Sequence, residues 1–141
     1  MATLNVTIKE ELTLNGSDKG AINTSTSTVT QLDHRILDVL HDAEQSVLLF
    51  GAAVAAGTIK DATLKYLRIT NLDSTNFVTL RIAGASEEYF VKVEALDSFI
   101  LNNSLMDANA AGSASANLLA IDEIKVQANT ATCSIEIYAA A

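Results

Sequence analysis

Apolar and polar residues alternate over much of the chain with the period of two that a half-buried β-strand requires. Near the beginning of the chain, Leu4, Val6 and Ile8 alternate with polar residues. The same alternation, or a short apolar run of strand length, returns in seven later segments. These segments span residues 45–51, 64–70, 77–84, 87–95, 97–103, 120–128 and 132–139. Each segment is short, and we predict that each forms a β-strand.

The segment His34–Asp42 is ambiguous, because the spacing of Ile36, Leu37 and Leu40 also suits a helix. It is short and has no clear capping residue, so we favour a strand here as well. The chain then has eight or nine short strands and no long amphipathic helix. This pattern predicts an all-β, antiparallel β-sandwich, jelly-roll-like in topology, although an immunoglobulin-like sandwich has the same signature.

Polar segments divide the predicted strands. Asn15–Gly20 predicts a turn or loop, Asn71–Asn76 predicts a connection with an Asx-type turn, and small residues predict a loop that Gly57 closes. Ser104–Asn117, rich in Ala, Ser and Asn, is interpreted as a mobile loop. Ser and Thr predominate between Ile22 and Gln31, which favours an extended edge strand or arm with little apolar surface. We expect an N-terminal strand and arm at residues 1–31 and a sandwich at residues 32–141, within one domain overall.

Composition limits the classes of partner. A chain of 141 residues can bury about two-thirds of its unfolded surface, which supports a core without disulfides or metal. The formal net charge is −8, and nine scattered Lys and Arg residues do not form the basic surface that nucleic acid or an anionic membrane requires. No signal peptide or membrane-spanning run is recognisable, so we expect a soluble protein made in a reducing compartment. Cys133, the single cysteine, alternates with polar residues and is expected to be a small buried hydrophobe.

Candidate chemistry is sparse. His34 and His41 would share a helical face with Asp38, but no further ligand supports a metal site there, and solvated side chains are favoured. Neighbouring acidic pairs point to opposite faces of a strand and cannot face each other across a cleft. Asp73 with Asn71 and Asn76 could offer oxygens to calcium, or these side chains could simply form the turn. No nucleophile, phosphate-binding or zinc motif is present, so we expect a protein without enzymatic activity or cofactor.

Aromatic residues are the most informative feature. If the apolar rows of the predicted strands point inward, alternation places four of the seven aromatic residues outward, three of them beside basic residues. Aromatic residues and arginine are enriched at protein interfaces. The alternative is that a loop or the arm covers these residues within one chain, or that a bulge moves one across. The candidate interface residues are Tyr66, Arg68, Phe77, Arg81, Phe90, Lys92 and Tyr138, with Thr26 and Thr28 on the arm.

Three segments carry a resemblance to a known group of proteins. "KYLRITNLDSTNFVTLRI", "EEYFVKVEALDSFIL" and the terminal "CSIEIYAAA", with the opening "LNVTIKEELTLNGSDKG", resemble the small virion structural proteins of tailed bacteriophages. The resemblance implies a capsid decoration or cement protein, a β-sandwich that is often trimeric and sits on the assembled shell. It implies no catalytic or ligand-binding residue.

The first functional hypothesis is therefore a capsid cement protein that binds the major capsid protein as a homo-oligomer, a trimer by resemblance. We expect it to be assembled in the bacterial cytoplasm and to lie on the virion surface, with weak contacts strengthened by repetition. The arm is a candidate for strand addition to a neighbour. A tail, neck or fibre component is an alternative. A carbohydrate-binding jelly roll is a third hypothesis, which the absence of Trp weakens.

Overall fold

Strands are the regular elements of this protein. The computed structural model describes residues 1–55, 57–60, 63–84, 87–102, 105–106 and 119–141, and no described residue is helical. Among those residues there is accordingly no helix that could cross a membrane. The contacts divide the chain into two units, Met1–Thr30 and Gln31–Ala141, which we call the arm and the sandwich.

The arm is a long antiparallel hairpin. Its strands are β1 (Ala2–Glu10), β2 (Thr13–Leu14), β3 (Ser17–Asp18) and β4 (Ala21–Val29). β1 pairs with β4 and β2 with β3. The tip turns at Asn15 and Gly16, whose φ angles are 50° and 77°. Two left-handed residues in a two-residue loop make the type I′ turn that matches strand twist, which is why Asn-Gly occupies it.

The sandwich contains the other ten strands. They are β5 (Leu32–Val39), β6 (Gln45–Gly51), β7 (Thr58–Lys60), β8 (Tyr66–Asn71), β9 (Val78–Gly84), β10 (Glu88–Val93), β11 (Ser98–Leu101), β12 (Leu105–Met106), β13 (Leu119–Ala128) and β14 (Cys133–Ala140). One sheet has the order β10-β9-β13-β6-β7, with β12 on β13, and the other has the order β11-β8-β14-β5.

Strand order confirms the jelly roll. Numbered 1 to 8 along the chain, the strands β5, β6, β8, β9, β10, β11, β13 and β14 form sheets of order 1-8-3-6 and 2-7-4-5. The first strand pairs with the last, the second with the seventh, the third with the sixth and the fourth with the fifth. A long hairpin with these pairs, wrapped once around itself, yields the two sheets of a jelly roll and not an immunoglobulin-like order.

The core lies between the two sheets. Alternate residues of the central strands point inward and are fully buried, as the apolar rows of the sequence predict. The largest fully buried side chains of the core are Leu48, Ile59, Leu67, Ile69, Leu80, Ile82, Ile121, Ile124, Ile135 and Ile137. Asn71 is buried with them, and its Nδ2 donates to the carbonyls of Asn76 at 2.7 Å and Glu94 at 3.1 Å. These bonds tie the start of one connection to the end of β10.

Several expectations need correction or completion. The ambiguous segment is a strand, β5, as favoured. The small-residue loop before Gly57 is followed by β7, a strand of three residues parallel to β6, which is too short to leave a periodic signal. Of the predicted loop Ser104–Asn117, Leu105 and Met106 form β12, and the remainder lies outside the described residues. β8 and β9 belong to different sheets, so the segment between them crosses the sandwich edge.

Candidate interaction surfaces

The outer face of the β11-β8-β14-β5 sheet carries an ordered array of polar and aromatic side chains. We call it the tyrosine face. Strand register places its members in two adjacent rows across the sheet. One row is Ile100, Arg68, Tyr138 and His34, and the next is Ser98, Thr70, Glu136 and Ile36. Tyr66 lies on the same face of β8, two residues before Arg68.

Glu136 is the centre of the tyrosine face. Its Oε2 lies 2.7 Å from Nη2 of Arg68, and its Oε1 accepts a hydrogen bond from Nε2 of His34 at 2.9 Å. The His34 and then the Arg68 hydrogen bonds lower the pKa of the Glu136 carboxyl below its ordinary value. Both carboxylate oxygens are engaged, so the carboxylate and its two partners hold one another in fixed positions.

Two tyrosine rings flank this charged group. The Tyr138 ring is 5.3 Å from the His34 ring and 6.1 Å from the Tyr66 ring, the latter in an edge-to-face arrangement. Aromatic pairs in such geometry contribute about 0.5–1.5 kcal/mol beyond their buried area. Both rings are half-buried, so neighbouring residues of the same chain restrict their orientation.

Large apolar side chains stand at both edges of the tyrosine face. On β5, Leu32 and Ile36 are 57% and 63% exposed, and on β11, Ile100 is 44% exposed. A single exposed leucine is ordinary, but several exposed large side chains on one ordered face indicate an interaction site. The tyrosine face therefore combines positioned aromatic and arginine side chains with accessible apolar ones.

The opposite outer face, which we call the phenylalanine face, has a different character. Arg81 on β9 is held by two carboxylates, Glu44 at 3.1 Å and Glu88 at 2.6 Å. Phe90 on β10 lies opposite Arg81 in the strand register and is 58% exposed. The charged residues of this face are paired with one another, and Phe90 is its most exposed aromatic side chain.

Phe77 and Lys92 extend the phenylalanine face. The Nζ atom of Lys92 lies 4.2 Å above the ring centre of Phe77, a cation–π contact. Phe77 is half-buried and directly precedes β9.

The predicted interface residues therefore divide into three groups. Tyr66, Arg68 and Tyr138 come together on the tyrosine face, and Phe77, Arg81, Phe90 and Lys92 come together on the phenylalanine face. Thr26 and Thr28 lie on the arm. Alternation along a strand shows which residues point outward, but not which of the two sheets the strand joins. The sequence could therefore not show that the outward aromatics form two separate surfaces.

Thr26 and Thr28 belong to a ladder of threonines on one face of the arm. The Oγ1 of Thr26 donates to Oδ1 of Asn5 at 2.9 Å, and the hydroxyls of Thr7 and Thr24 are 3.1 Å apart. Thr28 is opposite Thr3 in the same register. Leu4, Val6 and Ile8 point to the other face of the hairpin, as their alternation predicts.

Asp73 forms the predicted Asx-type turn. Its Oδ1 accepts hydrogen bonds from the backbone N–H groups of Asn76 at 2.6 Å and Thr75 at 2.7 Å. These two bonds, the Asn76 bond first, lower the pKa of the Asp73 carboxyl. Asp73 Oδ1 is thus already used by the turn itself.

The remaining chemical candidates are dispersed. His34 bonds to Glu136, whereas His41 lies in the turn beyond β5, and Asp38 accepts from the hydroxyl of Ser134 at 2.6 Å. Cys133 is fully buried, and burial, with the nearby charge of Asp73, raises the pKa of its thiol. Within the described residues, no three His, Cys, Asp or Glu side chains are grouped as metal ligands would be.

Arg35 and Asp33 were not singled out by the sequence. They lie on the inward side of β5, the side of Leu37 and Val39, and Arg35 donates to the backbone carbonyl of Val47. Their Nη2 and Oδ2 atoms are 3.5 Å apart. The sequence did contain a signal for this placement, because alternation along β5 puts Asp33 and Arg35 on the same side of the strand as its apolar residues Leu37 and Val39.

No known protein family matches the chain, and comparison with curated protein sequences and with solved structures found no significant similarity.

Proposed function

We propose that this chain is a non-enzymatic structural protein of a phage virion, a capsid decoration or cement protein that docks on the assembled head through its tyrosine face. The sequence resemblance supplies the virion setting. The tyrosine face supplies the means of docking. In this proposal the partner is the major capsid protein, and the chain docks as a homo-oligomer, for which the resemblance implies a trimer.

The observation that carries the proposal is the pairing of exposed apolar residues with a fixed polar centre. Ile36, at 63% exposure, is the neighbour in register of Glu136, which Arg68 and His34 hold in place. A partner that covers Ile36 removes apolar surface from water, which stabilises the complex by roughly 25 cal/mol for each Å² buried. The positioned Arg68 and Tyr138 then add directional contacts with little loss of side-chain freedom.

Charge and repetition support the same proposal. A net charge of −8 keeps free subunits soluble and disfavours nucleic acid as a partner. A capsid presents many identical sites, so an oligomer that engages several of them gains affinity without any additional type of contact. Each sandwich therefore needs only a weak contact with the capsid for the whole oligomer to bind stably.

Co-sedimentation with phage heads tests the proposal. The purified chain is mixed with full heads, emptied heads and isolated tails, and the pelleted fraction is measured. We expect binding to heads and not to tails. Ile36→Lys should weaken head binding by tenfold or more, since a buried unpaired charge is costly at an interface.

Leu49→Lys is the matched control. Leu49 is a similarly exposed side chain, at 43%, on the outer side of the other sheet, and it receives the same new charge. It should leave head binding unchanged. Binding to tails instead of heads would favour the tail or neck alternative, and equal loss in both variants would contradict docking through the tyrosine face.

A further inference from the structure

The free edge of β4 differs from the other free strand edges of the molecule. The arm sheet has two strands, β1 and β4, so each of them presents one edge without a strand partner in the described chain. Natural proteins protect exposed edges with charged residues, prolines, bulges or very short strands. β4 is nine residues long, pairs without a bulge and contains no charged residue and no proline.

The other edge strands of the described chain are protected. β1 carries Lys9 and Glu10, β5 carries two aspartates and Arg35, and β10 carries Glu88 and Lys92. β7 and β11 have three and four residues, and β2, β3 and β12 have two each, so these strands are too short to guide an extended pairing. Charged residues thus protect the free edges of the other long strands, whereas β4 has none.

We propose that β4 pairs edge to edge with β4 of a second copy of this chain, in antiparallel orientation about a two-fold axis. The result is a four-stranded sheet in the order β1-β4-β4-β1. A two-stranded hairpin is marginally stable in water, whereas a four-stranded sheet satisfies the backbone groups of both inner edges. The inference does not depend on the proposed function of the sandwich, because a two-fold contact between arms can pair two single chains or two of the trimers that the resemblance implies.

The absence of charge on β4 favours a second copy over a strongly charged partner. The sandwich holds seven Lys or Arg against fourteen Asp or Glu, a net charge of −7, so two sandwiches repel each other. The nine residues of β4 are uncharged, so two copies can meet there without like charges in contact. A strongly basic or acidic partner would find no complementary side chain on this strand.

Antiparallel pairing also separates the points at which the two chains leave β4. With complete overlap of the nine residues, Ser25 at the middle of β4 faces Ser25 of the other copy. The two Val29 residues, after which the chains enter their sandwiches, are then about 27 Å apart, at ~3.4 Å per residue. That separation exceeds the Debye length of roughly 8 Å at physiological salt, so charges near one exit point are largely screened from charges near the other.

Sedimentation of full-length variants tests the pairing. Thr24→Lys with Thr26→Lys places lysines directly opposite lysines across the proposed axis, because Thr24 of one copy faces Thr26 of the other. Thr3→Lys with Thr7→Lys adds the same charge to the same face of the arm, but on β1. We expect the unmodified chain and the β1 variant to have twice the mass of the β4 variant. Equal masses for all three proteins would overturn the proposal.

A cross-link separates loss of pairing from loss of the hairpin. Ser25→Cys should form a disulfide-linked dimer on mild oxidation, because the two side chains face each other at the axis. In Ser27→Cys the two sulfur-bearing residues lie about 14 Å apart, at ~3.4 Å per residue, beyond disulfide reach. Cys133 is buried and does not compete. Equal cross-linking of both variants, or of neither, would overturn the proposed register and with it the two-fold contact.

Discussion

Glu136 on β14 and Arg68 on β8 form an ion pair of 2.7 Å on the outer face of one sheet, with His34 of β5 on the other oxygen of the same carboxylate. The pair joins two strands that are neighbours only because the jelly roll wraps the end of the chain between its first and third long strands. The most organised part of the tyrosine face is therefore a consequence of topology.

The contacts of Glu136 with Arg68 and His34 make the free energy of unfolding depend on pH. The folded pKa of Glu136 is lowered from an ordinary value of 4.5, so the unfolded chain binds more protons in the interval between the two values. The stabilisation is complete above the ordinary value and is lost as the pH falls through the folded pKa. We expect Glu136→Gln to reduce the fall in unfolding free energy between pH 6 and pH 3, measured by urea titration.

Glu94→Gln is the control for the acid experiment. Glu94 pairs with Lys92 at 2.6 Å, but both side chains are exposed, and such pairs contribute little to stability. Its variant should retain the pH dependence of the unmodified chain. A Glu136→Gln protein with an unchanged pH dependence would contradict the role given to the network.

Asn71 should be required for the stability of the sandwich. Its buried amide donates to the carbonyls of Asn76 and Glu94, and Asn71→Ala leaves those acceptors unsatisfied. We expect a loss of about 1–3 kcal/mol in chemical denaturation. Asn102→Ala, at an exposed position, should change stability by less than about 0.5 kcal/mol. Similar losses in the two variants would argue against the buried placement of Asn71.

Ile137 and Ile36 lie on adjacent strands, the first in the core and the second on the surface. Ile137→Ala removes a fully buried side chain and should cost about 2–5 kcal/mol. Ile36→Ala, on the exposed face of β5, should change stability by less than about 0.5 kcal/mol while weakening head binding. Thermal and urea unfolding measure the first difference, and co-sedimentation the second. A stability loss at Ile36 comparable to that at Ile137 would mean that the chain itself covers the tyrosine face.

Cys133 should react slowly in the native protein. It has no exposed surface, and burial raises the pKa of its thiol, which lowers the thiolate fraction. Modification by an aromatic disulfide reagent at pH 8 should be more than about tenfold slower than in urea-unfolded chain. Native reaction as fast as the unfolded reaction would place the thiol at the surface.

Much of the fold was accessible from the sequence because side-chain alternation is a local property. The inward rows that contain Leu67, Val78 and Ile135 are buried as predicted, and the jelly-roll order agrees with the expected architecture. Asx geometry at Asp73 was predicted for the same reason, since it depends on residues within three positions.

Other features depend on long-range pairing, which alternation does not encode. The assignment of β8 and β9 to different sheets places Arg68 and Arg81 on separate surfaces. The Glu136–Arg68 contact joins residues that are far apart in the chain, and no local pattern specifies it. The parallel strand β7 has only three residues, fewer than a periodic signal needs.

Electron cryomicroscopy of phage heads incubated with the purified chain would show whether the tyrosine face docks on the shell. We expect jelly-roll density on the outside of the shell, with the β11-β8-β14-β5 sheet facing the capsid protein and Ile36 covered. Bare shells, or density that leaves Ile36, Arg68 and Tyr138 facing solvent, would contradict docking through the tyrosine face.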